Sequence, residues 1–199
     1  YIDEKKQIDV SFVGSINLFK KGHFERLKFL YYLSKKIKVQ LFLANLSPKR
    51  YIISLIRCII KFDFKSIIYL TYITIIAKKP KLGLNMLRTI QSSKISLNFH
   101  IDAAKNEAAN LRLYEVTGVG TCLLTDHKDN LDEHFKLNDE VISFQNVDDC
   151  SEIIKNLLEN PQKLKNLSLN GKRRTLDHHS YEKRTERLLM IIEENLKKT

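Results

Sequence analysis

Glu115 stands in a stretch whose residue types could bind an anionic, hydroxyl-rich ligand: Ala-Ala-Asn-Leu-Arg-Leu-Tyr-Glu-Val-Thr-Gly-Val-Gly, residues 108–120. The spacing predicts an amphipathic helix with a buried face at Leu111, Tyr114 and Glu115, closed by Gly118 and Gly120. A carboxylate on that face costs free energy unless it meets a partner, so Glu115 asks for a hydroxyl-rich or cationic one. Asn110 and Arg112 begin the same helix. Amide groups at a helix start, with a guanidinium beside them, suit an anion such as a diphosphate. Asn110 also fits a plain N-cap, and Arg112 fits a salt bridge to Asp102 or Glu115.

Two further places could approach the same ligand. An apolar segment at residues 95–99 ends in the polar step His100-Ile101-Asp102. Another at residues 10–13 ends in Gly14-Ser15, a tight turn where a ligand can reach the backbone. In open α/β sheets ligands sit at the carboxyl ends of strands. A buried histidine held by a neighbour explains His100 and Asp102 equally well. His178 and His179 are adjacent, which is poor ligand geometry on a helix, and no cysteine pair has metal-site spacing. No metal is expected.

The elements that must position these residues alternate along the chain. Strands are expected at residues 10–13, 39–43, 95–99, 122–125 and 141–144. Helices are expected at residues 23–36, 84–92, 130–135, 147–159, 161–175 and 181–197. Residues 48–62 and 65–77 are rich in Ile and Leu, and their periodicity does not decide between helix and strand. Their longest uncharged run, residues 66–77, is too short for a membrane span. Buried core is the expectation there. The other reading is a surface that presses on another domain or on a membrane. Alternation of this kind implies a parallel sheet covered on both faces.

Charge divides the chain. Residues 1–100 carry 19 Lys+Arg against 5 Asp+Glu, and residues 101–199 carry 15 against 18. The basic half suits nucleotide phosphates or an anionic membrane surface, or it simply solvates the chain. Nucleic acid is not expected, because the basic residues are scattered among aliphatics without a recognisable motif. The three cysteines Cys58, Cys122 and Cys150 are far apart, which fits a reducing, cytoplasmic compartment. With Tyr1 first and no signal-peptide pattern, residues 1–199 read as one domain of a longer protein.

The pattern Asn110, Arg112, Glu115, Gly118, Gly120, Leu123, Leu124, Thr125, Asp126 resembles the donor-binding half of group 1 glycosyltransferases, in particular their spore-maturation-type branch. Other pieces follow in the same order. They are residues 12–15 with His23 and Arg26, residues 83–86, 92–94 and 98–100, then His179-Ser180-Tyr181 with Arg184. The resemblance implies a Rossmann-like α/β domain, the C-terminal half of a two-domain GT-B enzyme, with an N-terminal acceptor domain outside this chain. It implies transfer of a glycosyl unit from a nucleoside diphosphate sugar to an acceptor such as a cell-surface glycan, with no cofactor or essential metal. Glu115 would then accept hydrogen bonds from the ribose hydroxyls, and Glu107, seven residues earlier in a Glu-x7-Glu pair, would be a weak catalytic candidate near the sugar. Gly14, Ser15, His100, Asp102, Asn110 and Arg112 would complete the donor site, and His179 would pack near the last helix. The resemblance also implies a bacterial enzyme of polysaccharide synthesis, working at the inner face of the plasma membrane. A GT-B nucleotide-sugar epimerase, or a non-catalytic binding domain that keeps the fold, fits the same residues.

Overall fold

Each strand is followed by one or more helices in the computed structural model, which describes residues 6–16, 23–101, 105–108 and 110–197. The order is β1 (Ile8–Ser15), α1 (Phe24–Lys36), β2 (Gln40–Ala44), α2 (Pro48–Ile60), α3 (Phe64–Ile76) and α4 (Gly83–Gln91). Then come β3 (Ser93–Asn98), α5 (Arg112–Gly118), β4 (Cys122–Asp126), α6 (Leu131–His134), β5 (Ile142–Phe144), α7 (Val147–Glu159), α8 (Pro161–His178) and α9 (Tyr181–Leu196). All five strands are parallel, in the order β2-β1-β3-β4-β5. The α/β fold with a parallel, Rossmann-like sheet is therefore as the sequence predicts. Lys78 adds a single parallel bridge to Phe42 on the outer side of β2.

Period-two alternation explains the two layers. In β2, Leu41 and Leu43 face one core while Phe42 faces the other. In β4, Cys122 and Leu124 face the first core and Leu123 the second. The first core takes Leu27, Leu30 and Leu33 from α1, Leu70 and Ile73 from α3, and Ile154 and Leu157 from α7. The second takes Ile90 from α4, with Leu113 and Val116 from α5. Side-chain caps set several helix starts. Asn146 accepts from the amides of Asp148 and Asp149, both at 3.0 Å. Asn160 caps α8 ahead of Pro161, and Ser180 caps α9.

Two expectations fail. The Ile-rich segments are helices, and α2 is not core. Its Ser54 and Cys58 are buried against α3, while Ile52, Ile56, Ile59 and Ile60 are exposed. Tyr69, Leu70 and Ile73 of α3 lie in the first core, and Tyr51 and Leu55 of α2 pack against it only partly buried. The second failure is the phase of α5. Its buried side chains are Leu113, Val116 and Thr117, and Leu111 is 65% exposed. Both sets share the i, i+3, i+4 spacing, so periodicity alone could not choose between them. Thr117 is acceptable inside because its hydroxyl bonds the Leu113 carbonyl at 2.7 Å and the Thr175 hydroxyl at 2.6 Å. The expected ending is present: α5 stops at Gly118, and Gly120 has φ +76°.

Candidate functional site

The chain reverses direction across the sheet between β1 and β3, which places a crevice at their carboxyl ends. Arg26 of α1 ties the two ends together. Its buried guanidinium donates to the Ser15 carbonyl at 3.0 Å and the Phe99 carbonyl at 2.6 Å. Gly14 lies inside β1, so no tight turn occurs there. A Cβ at Gly14 would stand 2.9 Å from the Phe12 ring, which is why the strand narrows to glycine at this point.

Beside this crevice a hydrogen-bonded line joins β3, β4 and the start of α5. The Asn110 amide donates to Asn98 Oδ1 at 3.0 Å, and Asn98 Nδ2 donates to the Thr125 hydroxyl at 3.0 Å. That hydroxyl donates to Asp126 Oδ1 at 3.3 Å. The same carboxylate oxygen accepts from the His100 backbone at 2.9 Å and lies 2.7 Å from His100 Nδ1. An ionised carboxylate only accepts, so it assigns the proton to Nδ1. Lys128 Nζ sits 3.4 Å from Asp126 Oδ2 and donates to the Lys105 carbonyl at 2.6 Å. Burial pushes the Asp126 carboxyl up, but the His100 hydrogen bonds and the Lys128 charge outweigh it and hold it below its usual range. His100 Nε2 and Asn110 Oδ1 are buried and have no hydrogen-bond partner among the described residues.

Glu115 and Arg112 meet each other on α5, with Arg112 Nη1 2.9 Å from Glu115 Oε2. Burial lowers the Arg112 guanidinium pKa, against the opposing pull of Glu115. Glu115 is half-buried, not enclosed. The predicted carboxylate therefore has its cationic partner. The N-cap reading of Asn110 is corrected: the capping position is Leu111, without a side-chain bond, and the Asn110 side chain turns to Asn98 instead. Seven residues of helix also make α5 a weaker anion site by its dipole than the sequence suggests.

Most predicted site residues are thus linked. Ser15 connects through Arg26 to Phe99, the neighbour of His100, and His100 connects through Asp126, Thr125 and Asn98 to Asn110, whereas Gly14 only precedes Ser15 in β1. Glu107 is exposed and forms no ion pair among the described residues. Asp102 lies outside the described residues, and the partner of His100 is Asp126. Sequence reasoning named Asn98 and Asp126 only as parts of the family pattern, without a role, and missed Lys128 as a member of this edge. The available signal was the Thr-Asp step that ends the fourth strand, the counterpart of the step at His100. His179 packs as expected. Its Nε2 lies 2.9 Å from the His134 carbonyl and its ring contacts Tyr114 and Phe135, and burial lowers its pKa. Among the described residues no three His, Cys, Asp or Glu side chains converge as a metal site.

A profile of the glycosyl transferase-like family matches residues 76–190, more than half of the chain. The chain belongs to that family. A search of the curated proteins gave no match. Solved glycosyltransferases share the fold of this family member. Sucrose-phosphate synthase from Thermosynechococcus elongatus superposes with a TM-score of 0.66 at 14% identity, covering 98% of this chain and 47% of that one. Anabaena HepE, solved with UDP, gives 0.64 at 10% identity, covering 94% and 49%. The C-terminal domain of the group 1 glycosyltransferase LpcC from Francisella tularensis gives 0.57 at 10% identity, covering 89% and 88%. The glycosyl transferase-like chain spans about half the length of the first two and has the fold of a GT-B C-terminal domain.

Proposed function

We propose that this domain binds a nucleoside diphosphate sugar at the β1/β3 crevice and serves transfer of its glycosyl unit to an acceptor such as a cell-surface glycan. The observation that carries this reading is the Arg112–Glu115 pair on α5, following Asn110 at the end of the buried polar line. A carboxylate is a good bidentate acceptor for a vicinal diol, so Glu115 would take the ribose hydroxyls through the oxygen that Arg112 does not use. Arg112 would direct its remaining N–H groups at the diphosphate. As the glycosyl bond breaks, negative charge grows on the leaving diphosphate, and Arg112 with nearby lysines would stabilise it without a metal or other cofactor. Asp126 fixes the His100 tautomer, leaving buried Nε2 to meet the phosphates or the sugar. UDP in the HepE structure supports a nucleotide donor for this fold.

A separate N-terminal domain would supply the acceptor, so residues 1–199 alone would bind donor and turn over poorly. The enzyme would be a bacterial one working in the cytoplasm, at the inner face of the plasma membrane when its acceptor is lipid-linked. A thermal-shift screen of UDP, GDP, CDP, dTDP and their sugars tests the reading, because a ligand of the native state raises its stability. One nucleoside diphosphate should raise the melting temperature, with its sugar conjugate at least as effective. No shift with any of them would sink donor binding.

A further inference from the structure

The turn between α2 and α3 places an aromatic side chain where local physics favours glycine. Phe62 has φ +53° and is 80% exposed, and Phe64, two residues on, is 61% exposed. The turn is an α-helix ending in which the Phe62 amide bonds the Ile59 carbonyl at 3.0 Å and the Asp63 amide bonds the Cys58 carbonyl at 2.9 Å. Glycine normally fills the left-handed position of that motif. A bulky residue there is a genuine outlier, and exposure gives it no compensating burial in this chain. The outlier therefore points outward, to something the aromatic pair touches.

The surroundings match one kind of surface. Ile56, Ile59 and Ile60 of α2 and Ile68 of α3 are also exposed, so both helices carry exposed apolar side chains within two turns of the aromatic pair. Lys61 and Lys65 bracket the aromatic pair in the run Lys61-Phe62-Asp63-Phe64-Lys65, and both are exposed without an ion pair among the described residues. Residues 48–81 hold eight basic side chains and a single acid, Asp63. That acid is occupied: its carboxylate caps α3, accepting from the Ser66 amide at 3.1 Å and from the Ser66 hydroxyl. The exposed side chains of the hairpin are thus apolar or basic. No helix among the described residues is long and apolar enough to cross a membrane, so such a surface would lie on one.

We propose that the α2–α3 turn inserts Phe62 and Phe64 into an anionic lipid leaflet, with the exposed isoleucines at the acyl boundary and Lys61 and Lys65 at the headgroups. This shares with the proposed function only the leaflet at which the enzyme would work. The polar crevice takes no part in it.

The chain has no tryptophan, so Phe62→Trp supplies a single reporter at an exposed position. Its emission should shift to the blue with 3:1 phosphatidylcholine:phosphatidylglycerol vesicles at low salt. The shift should reverse as salt rises and be absent with pure phosphatidylcholine. Lys61→Gln with Lys65→Gln should weaken vesicle partitioning by about fivefold per lysine. Phe62→Ala with Phe64→Ala should weaken it by roughly tenfold or more. No blue shift on anionic vesicles would overturn the proposal. So would unchanged partitioning without the two phenylalanines, since that is adsorption by charge alone. A blue shift that grows with protein concentration without vesicles would also overturn it, because a second copy then covers the tip. Circular dichroism and the nucleotide thermal shift, read on the same variants, report folding and donor binding separately, so failure of lipid insertion and failure of donor binding are distinguishable.

Discussion

The carboxyl edge of β3 and β4 buries polar groups, whereas the α2–α3 hairpin exposes apolar ones. Both run against the usual partition of a globular chain, and the physics of each is different. At the sheet edge, Asn98, Thr125, Asp126 and His100 satisfy most of their hydrogen-bonding groups on one another, because an unsatisfied buried polar atom is costly. On the hairpin each exposed isoleucine costs little by itself, and it is their number on one hairpin that is informative. A polar line serves a small ligand that must be oriented; an apolar patch rimmed with lysines serves a broad, unstructured surface. The comparison predicts that substitutions at the edge alter stability or nucleotide affinity strongly, and that those on the exposed face of the hairpin alter neither.

The largest effect should come from Asp126→Ala. It removes the acceptor of the His100 backbone amide and Nδ1, leaving two buried donors at ~1–3 kcal/mol each. Urea unfolding should show a loss of about 2–6 kcal/mol. An unchanged midpoint would mean that water replaces the carboxylate and that the edge is not a stability element.

Glu115→Ala comes next and should act on affinity, not on folding. Loss of a hydrogen bond to a charged group is worth about 1.5–3 kcal/mol, or roughly ten- to over a hundredfold in nucleoside diphosphate affinity by calorimetry. A folded variant with unaltered affinity would remove Glu115 from the site. Arg112→Ala should discriminate: binding of the nucleoside diphosphate should fall about tenfold, and that of the bare nucleoside much less. Equal losses would make the Arg112–Glu115 pair a structural one.

A smaller effect follows from pH. The Asp126 carboxyl is lowered below its ordinary value of 3.8 in the folded chain. Its contribution is therefore fully present above that value and is lost as pH falls through the lowered one. Between pH 7 and pH 3 the urea midpoint of the Asp126→Ala variant should approach that of the unsubstituted chain only at the acid end. A gap that stays constant to pH 3 would contradict this. The smallest effect should be Ile56→Ser on the outer face of α2, within about 0.5 kcal/mol of the unsubstituted chain. A loss of 2 kcal/mol or more would show that the hairpin face is buried in solution.

Much of the fold was legible from local pattern. Short apolar runs marked all five strands of the sheet, and the boundaries of α7 were readable to the residue. Where two patterns with the same period compete, as for Leu111 and Leu113 in α5, local reading chose the wrong phase. The Ile-rich helices show the complementary failure. Composition says that isoleucine belongs inside, but whether an inside exists for α2 depends on what already covers the sheet. That place is taken by α1 and α3.

By itself the sequence determined the alternation of strands and helices, the parallel sheet and its carboxyl edge, and the presence of Glu115, Arg112 and Asn110 near it. These follow from periodicity and turn chemistry, which act over a few residues. Only the tertiary structure decided that His100 pairs with Asp126, 26 positions away, and that Asn110 bonds Asn98 instead of capping α5. It also decided that Arg26 ties together the carboxyl ends of β1 and β3 and that the isoleucine face of α2 points outward. The reason is geometric: parallel neighbours in a sheet come from distant parts of the chain, so the partners of a strand-end side chain are set by strand order, which no local pattern encodes.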